Sequence, residues 1–463
     1  MMSTGAIETG RNTGDERLAF PEGFRWGVAT ASHQYEGETL NNQWTAWERK
    51  GGIRSGDASG LACDWWHNAE RDFDLAQELG LNALRLSLEW SRIEPAPGEW
   101  DDAALDRYRE MLRDLRDRGI EPMVTLHHFT HPIWFEERGA FLAPGAVERF
   151  VRYVSRAVSA LGDLCDLWCT INEPNIYAAF GYETGDFPPG RRGDLLGALR
   201  AQANMARAHA AAYREIHRMQ PTARVGWAHH YNLFTPASRR SPLDRLVAGL
   251  QDNIFNDFFP SAVRTGTVAF PLSAFAGDLR AVKGTCDFVG INVYYRDLVA
   301  FDLREAPELF GRRFAPPGAV RSDQPVDEEL SEVYPQGIAE IALRAGELGV
   351  PVYVTENGVA DRDDRIRPWL LARAALAMHK ALAAGADLRG YYHWSLVDNF
   401  EWSQGWTLRF GLFGLDVDTQ ERTMRPSGRF YGEMARANAL TAEIVREFAP
   451  AELAHIFPEA AVS

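Results

Sequence analysis

The sequence predicts an α/β fold in which eight strands, each followed by a helical segment, close into one barrel. Two observations predict it. Short apolar or β-branched runs of strand length recur eight times, and longer segments with helical spacing separate them. No linker interrupts the alternation, so the 463 residues read as a single (β/α)8 TIM barrel with long βα loops.

In order, the runs are "FRWGVATAS" from Phe24, "ALRLSLEW" from Ala83, "EPMVTLHH" from Glu121, "DLWCTINE" from Asp166, "ARVGWAHH" from Ala223, "FVGINVYY" from Phe288, "VPVYVTEN" from Val350 and "LRGYYHWSL" from Leu388. Each is rich in residues that suit a pleated, buried surface. Between them, "DRYREMLRDLRDRG", "RFVRYVSRAVSALG" and "WLLARAALAMHKALAAG" place apolar residues near helical spacing and stop on Gly. Residues 38–64, 179–195, 231–287 and 296–336 read as irregular loops, the kind of segment that walls or covers a site. Residues 1–17 read as a flexible N-terminal segment without the apolar stretch of a secretory signal, and residues 18–463 as the domain.

Composition narrows the function. With 46% apolar residues the chain can bury a large core, and a formal charge of -15 argues against nucleic-acid or anionic-membrane partners, which need a basic face. Nothing approaches a membrane span. Cys63, Cys165, Cys169 and Cys286 are too few for a disulfide scaffold and form no C-x-x-C pair, so they read as buried thiols. A soluble, cytoplasmic protein is expected. Its charge does not choose between monomer and homo-oligomer.

In a (β/α)8 barrel the C-terminal strand ends build the active face. Here they are polar: Gln34 and Glu36, Glu89, His127 and His128, Asn172 and Glu173, His229 and His230, Asn292 and Tyr294, Glu356 and Asn357, then Trp394 with Asp398, Asn399 and Glu401. Such a rim suits a polyhydroxylated ligand with one apolar ring face. Glu173 closes the fourth run just before Pro174, and Glu356 ends the seventh in the same way. Either could be a structural ion pair taken alone. Two carboxyls on one rim are what glycoside hydrolysis requires, one protonating the leaving oxygen while the other attacks C1 or activates water.

"TINEP" and "VTENG", with "SHQYEG", "LRLSLEWSRIEP", "GINVYY" and "HWSLVDNFEW", closely resemble the family 1 glycoside hydrolases, the β-glucosidase and β-galactosidase group, over residues 20 to 437. The resemblance implies that Glu173 is the general acid/base and Glu356 the nucleophile of a retaining mechanism, for which the carboxyls stand roughly 5 to 5.5 Å apart. The charge of Glu356 would then raise the pKa of Glu173. Arg85 occupies the position that contacts the nucleophile and keeps it ionised, and Tyr294 the position that hydrogen-bonds it, while Tyr295 faces away by alternation. Gln34, His128, Asn172, Glu401 and Trp402 would bind hydroxyls, Trp394 would lie beneath the ring, and Phe410 would complete the pocket. Glu401 favours a free over a phosphorylated sugar, since a carboxylate repels phosphate. No cofactor and no metal are implied, and the expected partner is a small β-glycoside or disaccharide.

The chain also departs from the pattern. It has His127, His128, Phe129 and Thr130 where relatives often read Tyr-His-Trp-Asp, and Ser331 where many carry a Trp that stacks on the leaving group. A metal-dependent hydrolase using His127, His128, His131, His229, His230 and His393 is a rival reading, weakened because adjacent strand residues face opposite ways. A non-catalytic sugar-binding barrel is disfavoured by the presence of both carboxylates. A predominantly transglycosylating enzyme would use the same two residues. The reading that results is an exo-acting β-glucosidase with β-galactosidase and β-fucosidase side activity.

Overall fold

A computed structural model describes residues 17–270, 272–306, 309–322 and 331–460. The eight expected runs all form strands: β1 (Arg25–Ala29), β2 (Ala83–Ser87), β3 (Glu121–Thr125), β4 (Leu167–Asn172), β5 (Arg224–Pro236), β6 (Phe288–Phe301), β7 (Val352–Asn357) and β8 (Leu388–His393). Each pairs in parallel with the next, and β8 pairs with β1, so the sheet closes. Closure buries both faces of each strand, which is why the sequence shows near-continuous apolar runs rather than alternation. All residues of β2, β4 and β7 are buried.

The helices pack outside the sheet, some of them buried around most of their surface. In α1 (Asp102–Asp117), Leu105, Tyr108, Met111, Leu112 and Leu115 are buried. Asp101 caps its N-terminus by accepting from the Ala104 N–H at 3.1 Å. Burying each aliphatic side chain there contributes about 2 kcal/mol, so Leu112→Ala is a change of the size that breaks the helix's hold on the sheet. α2 (Ala146–Leu161) and α3 (Arg367–Ala383) correspond to the other two quoted helical segments. Gly27 lets β1 approach its neighbours: a Cβ there would stand 2.7 Å from the Ala83 carbonyl and 2.8 Å from the Tyr392 ring.

The stretches expected to be irregular are not uniformly so. Residues 38–64 contain the helix Gln43–Arg49, and 179–195 begin with the π-helical turn Ala179–Thr184. In 231–287, β5 runs on to Pro236 and is followed by the helices Pro242–Asn256 and Phe258–Thr265. In 296–336, β6 continues to Phe301 and receives two antiparallel partners, Gly311–Phe314 and Glu332–Val333. Beyond the barrel rim β5 and β6 remain paired, Leu233 opposite Arg296 and Pro236 opposite Val299. This ribbon is only partly buried, and Arg296 and Asp297 break the apolar run of β6 at the rim.

Residues 1–16 of the expected N-terminal segment lie outside the described residues. Arg17, assigned to that segment, instead begins the strand Arg17–Ala19, which pairs antiparallel with Ala439–Thr441. Cys63, Cys165 and Cys169 are buried free thiols as expected, whereas Cys286 is half-buried. Among the described residues no helix is long and apolar enough to cross a membrane.

Candidate active site

β4 and β7 deliver the two carboxylates by the same device. The pairing of β4 with β5 gains a residue between Cys169 and Asn172, and that of β7 with β6 gains one between Val354 and Glu356. Such an extra residue re-aims the side chains beyond it. Thr170 turns outward to His209, its hydroxyl 2.7 Å from Nδ1, so strict alternation would turn Asn172 outward too. The irregularity brings Asn172 in. Glu173 then adopts a left-handed conformation, φ 45° and ψ 62°, and its N–H donates to the Ala228 carbonyl at 2.8 Å. That conformation costs a non-glycine residue about 1–2 kcal/mol. Pro174 follows as the first residue of the helix Pro174–Ala178, where a missing N–H costs nothing.

One chain of hydrogen bonds links the two acids. Arg85 is fully buried; its Nη1 donates to Glu356 Oε1 and its Nη2 to Asn172 Oδ1, both at 2.6 Å, and Nε donates to Thr125 Oγ1 at 3.0 Å. Asn292 Nδ2 donates to Glu173 Oε1 at 2.7 Å and to Asn172 Oδ1 at 3.2 Å, while its Oδ1 accepts from Thr355 Oγ1. Tyr294, rather than Tyr295, donates to Glu356 Oε2 at 2.9 Å. Glu173 Oε1 also lies 3.0 Å from His230 Nδ1, and the His230 ring stacks on Tyr294, 14° between planes.

Burial pushes Glu356 up to about 7, against the opposing charge of Arg85 and with the charge of Glu173 adding to the rise. The guanidinium acts in the expected direction, favouring the ionised form, while desolvation opposes it by more.

Around them stand the expected sugar binders. Burial pushes Glu401 up to about 8, against the Trp394 indole N–H, which donates to its Oε1 at 3.1 Å. Gln34 Nε2 donates to Asn399 Oδ1 at 2.8 Å and to the Phe400 carbonyl at 2.9 Å, and its Oε1 has no protein partner. Burial, then Arg85, push His128 well below the usual imidazole range, so it is neutral. Its Nε2 takes the Asn172 amide N–H at 3.0 Å, which assigns the ring proton to Nδ1. Trp402 lies nearly parallel to His33 at 5.9 Å and to His128 at 5.9 Å. Phe410 stands edge-on to Tyr294.

The departures have local explanations. Phe129 packs edge-on to Trp402 at 5.2 Å, Thr130 donates to Glu89 Oε2 at 2.9 Å, and Ser331 donates to Asp297 Oδ1 at 2.8 Å. His127 turns away from His128 and packs among Phe141, Phe150 and Tyr177. Among the described residues no three His, Cys, Asp or Glu side chains are grouped to hold a metal. Sequence reasoning noted Asn292 as a polar strand end and His230 as a polar strand end and candidate metal ligand, and missed their contacts with Glu173, which depend on the register of neighbouring strands.

The profile for Glycosyl hydrolase family 1 matches residues 16–440. A beta-galactosidase of Pyrococcus woesei is 32% identical over 92% of this chain and 99% of its own length, and beta-glucosidase A of Thermotoga maritima is 32% identical over 91% and 98%. Among solved structures, a beta-glycosidase from Pyrococcus horikoshii shares 35% identity with a TM-score of 0.83, covering 93% of this chain and 98% of its own. The Thermotoga maritima beta-glucosidase in complex with glucoimidazole shares 30% identity with a TM-score of 0.86, covering 91% and 100%. With the family profile spanning the barrel and both carboxylates, the chain belongs to glycosyl hydrolase family 1.

Proposed function

We propose that this family 1 glycosidase is a retaining, exo-acting β-glycosidase that prefers β-D-glucosides and takes β-D-galactosides and β-D-fucosides as secondary substrates. The observation that carries the reading is the chain of hydrogen bonds from Glu356 through Arg85, Asn172 and Asn292 to Glu173. It ties two acids from opposite parts of the chain to one small pit.

The donors set the roles. Glu356 accepts from a cation and a phenol, Arg85 and Tyr294, which suits the carboxylate whose ionised form attacks C1; Glu173 accepts from the neutral Asn292. The reactive form is the one in which Glu173 carries the proton and Glu356 is ionised. Glu173 gives it to the glycosidic oxygen as the bond to C1 breaks, and a Glu356 oxygen forms the new bond to C1. The leaving group departs as an alcohol. In the second step Glu173, now ionised with no opposing charge across the pit, takes a proton from water, which attacks C1 and frees Glu356. Gln34, His128, Asn172, Glu401 and Trp402 read the hydroxyls, with Trp394 beneath the ring and Phe410 behind Tyr294. A complex of the Thermotoga maritima relative with glucoimidazole supports a single glucose-like ring in this pit.

The test is Glu356→Ala on an aryl β-glucoside. Turnover falls to background, and added azide restores it with formation of the glycosyl azide of inverted configuration. Wild-type turnover by Glu356→Ala would end the reading.

A further inference from the structure

His230 makes a contact that the two-carboxylate scheme does not use. Its Nδ1 stands 3.0 Å from Glu173 Oε1, its face lies 5.8 Å from Tyr294 with 14° between planes, and Phe255 closes on its edge at 90°. The side chain is 12% exposed, so the ring is held on three sides.

Oε1 also accepts from Asn292 Nδ2 at 2.7 Å, and the direction of that amide is fixed because the same nitrogen faces Asn172 Oδ1, an acceptor that already takes the Arg85 Nη2–H. An oxygen that already receives the Asn292 N–H is poorly placed to carry a proton of its own. With His230 Nδ1–H as the second donor, both hydrogen-bonding directions of Oε1 are occupied. The acidic proton is left to Oε2. A carboxyl without this arrangement has two oxygens to protonate, and only the one facing the glycosidic oxygen transfers its proton usefully.

We propose that His230 is a positioning residue for the acid/base step: by donating to Glu173 Oε1 it confines the transferable proton to Oε2. The inference rests on Glu173 being the acid/base. The ring stack on Tyr294 fixes the direction of the Nδ1–H and places that donor next to the group that holds Glu356.

The test is a series of aryl β-glucosides spanning good to poor leaving groups, with kcat/KM reporting glycosylation. His230→Phe keeps a ring against Tyr294 and removes the donor; His230→Asn restores an amide N–H near the Nδ1 position. General acid catalysis supplies typically 10²–10⁴-fold, so His230→Phe loses on the order of 10- to 100-fold on poor leaving groups and stays within about threefold on dinitrophenyl glucoside. His230→Asn recovers most of that loss. A structural role would lower all substrates together and would not be rescued by Asn, and either result overturns the proposal. If His230→Phe fails to accumulate, His230→Leu is read by the same criteria. Glu173→Ala in the same series separates the failures. If Glu173→Ala steepens the dependence on leaving group and His230→Phe does not, this inference alone falls; if Glu173→Ala does not, the assignment of Glu173 falls with it.

Discussion

Arg85→Met is the most informative single substitution. Arg85 is fully buried and donates at 2.6 Å to both Glu356 and Asn172. Glu356 already rests at about 7, because burial and the charge of Glu173 outweigh the guanidinium. An opposite charge this close lowers a carboxyl by 1–3 units, so without it Glu356 moves up by about that much and keeps its proton through neutrality. Each unit is a factor of ten in the ionised fraction. At pH 6 the loss of kcat/KM on an activated aryl glucoside is therefore on the order of 10- to 1,000-fold, and part of it is recovered toward pH 9. Stability follows the same logic. A raised folded pKa contributes stability below the unfolded value, and that contribution is lost as pH rises toward the folded value. Wild type and variant lose it in parallel up to about 7. Above that, only the variant continues to lose, and the gap widens by about 1.4 kcal/mol per pH unit. The assays are a pH profile of kcat/KM and urea unfolding between pH 5 and 9. Arg85→Lys keeps the charge and loses the fork, so its acid limb lies between the two. An acid limb that stays in place while the rate drops equally at every pH would refute the electrostatic role.

Two further predictions concern the pocket wall. Glu401, pushed up to about 8 by burial, carries the same sign. Wild type therefore loses stability from this group as pH rises from about 4.5 toward 8, whereas Glu401→Gln does not, so the urea midpoint of the variant gains on wild type across that window; a constant difference would count against the shift. Gly358→Ala would place a Cβ 1.9 Å from the Trp394 carbonyl oxygen, which is backbone and cannot rotate aside. It should lower stability by at least about 1–3 kcal/mol and raise KM through displacement of Trp394, and unchanged unfolding and KM would show that the loop yields freely.

What was legible in the sequence divides along a physical line. The eight barrel strands were readable because closure buries them on both faces, which leaves short apolar runs bounded by polar ends. The two carboxylates were readable because each ends such a run. The continuation of β5 and β6 past the rim was not, since Arg296 and the buried, hydrogen-bonded Asp297 break the apolar run there. The links through Asn292 and His230 were not readable either. They depend on the register of neighbouring strands, and register here shifts at Tyr231/Leu233 and Val354/Glu356, where a rule of strict alternation gives the wrong face. The elevation of Glu356 was unreadable for a related reason: sequence names the cation beside a carboxylate, while the desolvation that opposes it is a property of the packed barrel.

The pit asks for several things that a regular strand resists. Glu173 sits at positive φ, β4 and β7 each carry an extra residue just before their acid, and Glu356 and Glu401 are buried carboxyls pushed toward neutrality. Each opposes folding by an amount comparable to one good core side chain. These features share a result: they turn side chains inward at the strand ends, where the barrel widens and no apolar layer needs the space. Below them the fully buried Arg85 reaches Glu356, Asn172 and Thr125, which stand on three different strands. A hydrophobic side chain at Arg85 could fill the same volume and need not destabilise the fold at low pH, where Glu356 is neutral. What it could not do is hold a charge on the acid that must attack C1. The expense of burying a guanidinium is thus explained by chemistry at the rim, and the pH at which Arg85→Met loses activity measures how much of that burden the arginine carries.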